Sequence, residues 1–165
     1  MYRILVVCTG NTCRSPLASI LLEEAFRRKG LAEQVVVDSA GISAARGQPI
    51  SDGAKQSLDK RGLEAAAKRH RSKPVEHRDL SIVDLILVMT RQHKLALLAD
   101  APETLDKVYT LREYVMLDRP VDEEEALDIA DPFGTSSAAY EKVAAELETL
   151  CEEIAERIAR QLGKE

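Results

Sequence analysis

The chain has 165 residues, 45% of them apolar and 31% charged, which is enough for one domain to bury a core and excludes a disordered or collagen-like polymer. Acids outnumber bases 28 to 23, giving a net charge of −5. That balance argues against general binding to nucleic acid or anionic membrane, while leaving room for a local anion site.

In chain order, Ile4-Leu5-Val6-Val7 is a continuous apolar, β-favouring run, the pattern of a strand buried on both faces. Ser15-Pro16 opens a helix, with proline where its missing N–H costs nothing and serine as a cap. Leu17, Leu21 and Ala25 give that helix an apolar face, Glu23 with Arg27 and Glu24 with Arg28 pair four apart on its wet side, and Gly30 ends it. Gln34 to Ser39 reads as a second strand, broken by Ala40-Gly41. A helix from about Ser51 to Arg61 carries Ala54 and Leu58 inward and stops at Gly62. Leu85 to Met89 is a third strand, after which Thr90 caps a helix bearing Leu95, Leu97 and Leu98. Val108 to Leu111 is a fourth strand. Tyr140, Val143, Leu147, Leu150, Cys151, Ile154, Ile158 and Leu162 repeat at helical spacing and define a long closing helix.

Strands alternating with helices imply right-handed βαβ crossovers. The expected fold is α/β, small and doubly wound, with a four-stranded parallel sheet, helices on both faces and a single domain over residues 1–165. Apolar runs of this length cannot cross a bilayer. The start of the chain has no signal-peptide pattern, and three cysteines are too few and odd in number for a disulfide framework, so a cytoplasmic location is expected. Met116 to Ala130, with Asp118, Asp122, Glu123, Glu124, Glu125 and Asp128, is expected to be an acidic, mobile loop.

In open parallel sheets ligands bind beyond the carboxyl ends of the strands, which directs attention to the loop Cys8-Thr9-Gly10-Asn11-Thr12-Cys13-Arg14-Ser15. Successive N–H groups curling into a helix N-terminus form an anion-binding nest, and Gly10 and Asn11 tolerate the positive φ such a curl asks for. Arg14 can grip two phosphoryl oxygens with its planar fork. Cys8 would lie at the centre of the nest, where the helix end and Arg14 favour its thiolate and make it a nucleophile. A cysteine ending a buried strand is otherwise a small core residue; Cys-x5-Arg-Ser between strand and helix is far more specific. The loop is not the Gly-x4-Gly-Lys nucleotide pattern. Nor do His70, His77 and His93 show a spacing that would complete a metal site with Cys8 and Cys13.

Val7 through Pro16 resembles the signature loop of the low-molecular-weight protein tyrosine phosphatase family. Asp38-Ser39-Ala40-Gly41 and Asp131-Pro132-Phe133-Gly134 match further family segments in the right order. The resemblance implies Cys8, Arg14 and Asp131 as catalytic residues, with Thr9, Gly10, Asn11, Thr12, Cys13, Arg14 and Ser15 binding the phosphoryl group. It implies a cysteinyl-phosphate intermediate, Asp131 as proton donor and then base, and no metal or cofactor. Ser15 can hydrogen-bond the Cys8 sulfur and ease its departure. Asp-Pro-x-Gly is also an ordinary turn signal, and Asp128 competes for the acid role.

Many tyrosine-specific relatives carry a bulky apolar residue in place of Thr12 and an aromatic pair in place of Phe133-Gly134. The threonine wall is smaller, offers a hydroxyl and suits a planar guanidinium, and the loop resembles that of bacterial protein-arginine phosphatases. Phosphoarginine in proteins is therefore the expected substrate, with phosphotyrosine as the alternative and with no nucleic-acid or membrane partner. The expected protein is a monomer. An arsenate reductase would need another cysteine pair in mid-chain, and none lies between Cys13 and Cys151. A pure phosphate binder would not need Cys8, Arg14, Ser15 and Asp131 together. Cys13 reads either as a redox guard that bridges to an oxidised Cys8 or as a core residue, and Cys151 as packing. Lys68 to Lys73 reads as a solvated turn near the active face, and His93 as a surface or capping residue.

Overall fold

Four strands pair in parallel in the order β2-β1-β3-β4: β1 (Tyr2–Cys8), β2 (Val35–Gly41), β3 (Leu85–Val88) and β4 (Val108–Thr110). The computed structural model describes residues 1–119 and 127–163, so the acidic run Asp122 to Glu125 lies outside the described residues. The helices are α1 (Arg14–Arg28), α2 (Asp52–Asp59), α3 (Glu64–Arg69), α4 (His77–Ile82), α5 (Arg91–Asp100), α6 (Leu111–Val115) and α7 (Ser137–Gln161), with a 3-10 turn at Pro102–Lys107. None among the described residues is long and apolar enough to cross a membrane.

The expected two-faced sheet follows from strict alternation. Ile4, Val6, Leu85 and Leu87 turn toward α1 and α7, where they meet Leu17, Leu21, Leu147 and Ile154. Leu5, Val7, Ile86, Val88 and Val108 turn the other way, onto Leu80 of α4 and Leu97 of α5. Both faces of β1 and β3 are thus dry, which is why these strands read as unbroken apolar runs.

Several local expectations shift. β2 runs on through Gly41, pairing it with Cys8. Gly41 is there to permit close approach and does not break the strand, because a Cβ on it would collide with the Thr9 carbonyl oxygen and the Ala44 side chain. α1 begins at Arg14, with Cys13 as an N-cap that makes no side-chain cap bond; Pro16 still falls among the first-turn N–H groups that have no partner. Arg27 pairs with Glu24, three residues away, and Arg28 and Lys29 reach Glu152 on α7. Ser51 precedes α2 but makes no cap bond. On α5 only Leu97 of the three leucines is buried, Leu95 being 61% exposed. Leu111 leaves the fourth strand to start α6, where Thr110 and Glu113 form a reciprocal capping box worth about 1 kcal/mol.

Candidate active site

The carboxyl end of β1 delivers Cys8 to the floor of a loop that turns through Asn11, the one non-glycine residue with positive φ (56°) among those described. Gly10 needs no such angle. Asn11 is fully buried and ties the loop together. Its Nδ2 donates to Ser15 Oγ at 2.8 Å and Ser39 Oγ at 2.9 Å, and its Oδ1 accepts from the Lys73 backbone N–H at 3.0 Å. Leaving any one of these buried groups unpaired would cost about 1–3 kcal/mol. Asn11 is therefore a strut of the nest, its side-chain amide engaged by Ser15, Ser39 and Lys73.

Two donors converge on the Cys8 sulfur. Ser15 Oγ lies 2.9 Å from Sγ and accepts from Asn11, and toward a Cys8 thiolate, which has no proton of its own, Ser15 is the donor. The Asn11 backbone N–H approaches Sγ at 3.3 Å. Ser15 is fully buried behind the loop, where its side chain serves Cys8.

A cavity of about 220 Å³ opens in front of Cys8, lined by residues 8–14 together with Asp131 and Phe133. A larger one, about 350 Å³, lies beside α1 and α3 against Phe26, Leu63 and Arg69 and is lined by no cysteine, serine or threonine. The loop cavity is the chemical one. Arg14 projects from the first turn of α1, 6% exposed; its NH1 donates to the Ile129 carbonyl at 2.9 Å and its NH2 lies 3.5 Å from Asp131 Oδ2. Asp131 Oδ1 accepts from the Phe133 N–H at 3.1 Å, the turn bond its Asp-Pro sequence foretells, while its side chain remains 52% exposed. The competitor Asp128 is held by the Arg91 backbone N–H at 2.9 Å and by the Arg91 guanidinium, and it is not among the residues lining the cavity.

Two histidines that local spacing left without partners buttress this loop. His70 Nε2 lies 2.7 Å from the Asn11 carbonyl oxygen, and burial lowers its pKa. The basic run is only partly solvated and does not start as a turn: Lys68 and Arg69 close α3 and are exposed, as is Arg71, whereas Ser72 is buried, and Lys73 pairs with Asp38 while its N–H holds Asn11. His93 is not a surface residue. It is 8% exposed, with Nε2 2.8 Å from Thr9 Oγ1, and burial together with the Arg14 charge pushes its pKa down to about 4. Thr90 caps α5 by accepting from the His93 N–H, as the sequence suggested, but no short-range pattern points across 84 residues to Thr9. Cys13 is buried, and burial with the nearby Asp131 pushes its thiol up to about 12. Cys151 packs in the core and donates to the Ala18 carbonyl.

Residues 3–164 match the family model described as low molecular weight phosphotyrosine protein phosphatase. The chain belongs to this family. It is accordingly a protein phosphatase, a hydrolase. It is 42% identical over 157 residues to a protein-arginine-phosphatase of Geobacillus stearothermophilus, covering 95% of this chain and 96% of the relative. Among solved structures it resembles the YwlE arginine phosphatase of the same organism (TM-score 0.84, 40% identity, 98% and 95% of the two chains). It also resembles a cysteine-to-serine mutant of YwlE with a phosphorylated active-site serine (TM-score 0.84, 35% identity, 94% and 95%). Family membership thus extends over nearly the whole chain, well beyond the signature loop.

Proposed function

We propose that this phosphatase hydrolyses phosphoarginine in proteins, as a monomeric, single-domain, cytoplasmic enzyme working through a cysteinyl-phosphate. The observation that carries the arginine reading is Thr12 in the wall of the loop cavity. A short side chain with a hydroxyl leaves space for a planar guanidinium and offers it a polar contact, where a bulky apolar wall would suit a phenyl ring. The likeness to named protein-arginine phosphatases supports the same choice.

Cys8 Sγ attacks phosphorus in line as the phosphorus–nitrogen bond breaks, and Asp131 gives its proton to the departing guanidine nitrogen. Arg14 and the loop amides hold the three equatorial oxygens, so the phosphoryl group takes the place of Asp131 as Arg14's partner. Ionised Asp131 then accepts a proton from the water that attacks the cysteinyl-phosphate. Inorganic phosphate departs and the sulfur regains its electron pair, which the Ser15 hydroxyl and Asn11 N–H stabilise.

Initial rates on matched phosphoarginine and phosphotyrosine peptides test the substrate, and preference for phosphotyrosine would overturn it. Thr12→Ile is expected to move the ratio of kcat/KM toward phosphotyrosine by about 10- to 100-fold. Redox control belongs to the same reading. Peroxide oxidises the Cys8 thiolate to a sulfenic acid, and the Cys13 thiol displaces water from it to close a disulfide, slowly because that thiol is held protonated. Intact mass after peroxide is expected to show the disulfide in the wild type and none in Cys13→Ser; wild type that proceeds to sulfinic acid instead would overturn it.

A further inference from the structure

We infer that His93 is a positioning residue, whose Nε2–H fixes the Thr9 hydroxyl as a hydrogen-bond donor into the phosphate cavity. The inference rests on the phosphatase reading of this site and assigns a role to a side chain the reaction itself does not require.

The geometry fixes the direction of each bond. His93 sits in the first turn of α5 with its imidazole buried, Nε2 2.8 Å from Thr9 Oγ1 and Nδ1 buried without a partner among the described residues. Its depressed pKa leaves it one ring proton at neutral pH. Placed on Nδ1, that proton would make a buried N–H with no acceptor among the described residues, at a cost of about 1–3 kcal/mol. Placed on Nε2, it is donated to Thr9 Oγ1, and only an acceptor lone pair goes unused. The second arrangement is therefore assigned from the network of bonds.

Thr9 then accepts from the imidazole through one lone pair and keeps its own O–H free to donate. Thr9 follows the nucleophile directly and lines the cavity that Cys8 and Arg14 share. Its backbone is pinned as well, the carbonyl accepting from the Ser43 N–H at 2.9 Å. A hydroxyl held in this way donates to a phosphoryl oxygen and stabilises the charge that accumulates there in the transition state. In the opposite tautomer Thr9 would spend its proton on the imidazole and offer the cavity no donor. A leucine could fill the same space without the desolvation cost of an imidazole, so the polar ring is explained by the bond it makes.

The test compares Thr9→Val, His93→Leu, His93→Gln and the Thr9→Val/His93→Leu double variant, each assayed on para-nitrophenyl phosphate and on a phosphoarginine peptide, with Tm recorded. Thr9→Val and His93→Leu are each expected to lower kcat about 10- to 100-fold, somewhat less than loss of a backbone-type oxyanion donor, with little change in KM. The double variant should be no slower than the worse single one. His93→Gln, whose amide N–H can replace Nε2–H, should recover most of the lost kcat. Full activity in Thr9→Val, additive losses in the double variant, or a His93→Gln as slow as His93→Leu would each overturn the inference. If His93→Leu fails to fold, the comparison of Thr9→Val with His93→Gln still decides. Wild type inactive on both substrates would sink the phosphatase reading itself, whereas a preference for phosphotyrosine would sink only the arginine assignment and leave the aryl-phosphate comparison intact.

Discussion

Cys8→Ser is expected to lower turnover by on the order of 10⁴-fold or more on any phosphorylated substrate, because it replaces the soft sulfur nucleophile that the loop sets before Arg14 and Asp131. Serine is close in shape. The Ser15 hydroxyl and the Asn11 N–H, now directed at Sγ, can serve Oγ instead, so the nest and Arg14 should still bind inorganic phosphate. The outcome is more specific than simple loss. A serine Oγ that does attack forms a phosphate ester whose leaving alkoxide is far poorer than a thiolate, so the second half-reaction stalls. The variant is therefore expected to accumulate one phosphoryl group per chain at residue 8, the state in which a YwlE serine mutant was solved. Intact-mass analysis after incubation with substrate checks this. Residual steady turnover above a tenth of wild type, or a stable phosphoryl adduct on any other residue, would remove Cys8 from the nucleophile's role.

The sheet was largely legible because strands dry on both faces leave unbroken apolar runs, as at Ile4 to Val7 and Leu85 to Val88. The signature loop was legible because its chemistry is written in consecutive residues. What could not be read is what depends on distant partners. Asparagine tolerates positive φ, and the 56° of Asn11 agrees. Its larger role as a tie between Ser15, Ser39 and Lys73 needed the sheet to bring β2 and the 70–73 segment beside the loop. His70 and His93 meet loop residues 59 and 84 positions away, separations that no helical or strand period can encode. Gly41 read as a strand breaker because its reason for being glycine, the approach of Thr9, is likewise non-local. The short helices α3, α4 and α6 carry at most six residues each, too few for a periodic signal.

Asp131→Asn separates the chemical role of the carboxylate from its structural one. The asparagine Oδ1 can keep the bond from the Phe133 N–H, so the Asp-Pro turn should survive. What disappears is the transferable proton and the negative charge 3.5 Å from Arg14. Loss of a positioned general acid costs about 10²- to 10⁴-fold, and that loss in kcat is expected on phosphoarginine, whose basic guanidine cannot depart without a proton. KM should stay level or fall, since Arg14 no longer has a carboxylate to exchange for the phosphoryl group. On para-nitrophenyl phosphate the nitrophenolate leaves unaided, so the first half-reaction is spared. The smaller loss seen there reports activation of water in the second. Asp128→Asn is the matched control. That carboxylate is occupied by Arg91, so its loss should weaken the local fold more than the chemistry, with a lowered Tm and a far smaller fall in kcat. A reversal of the two variants, with Asp128→Asn inactive and Asp131→Asn near wild type on both substrates, would move the acid three residues upstream.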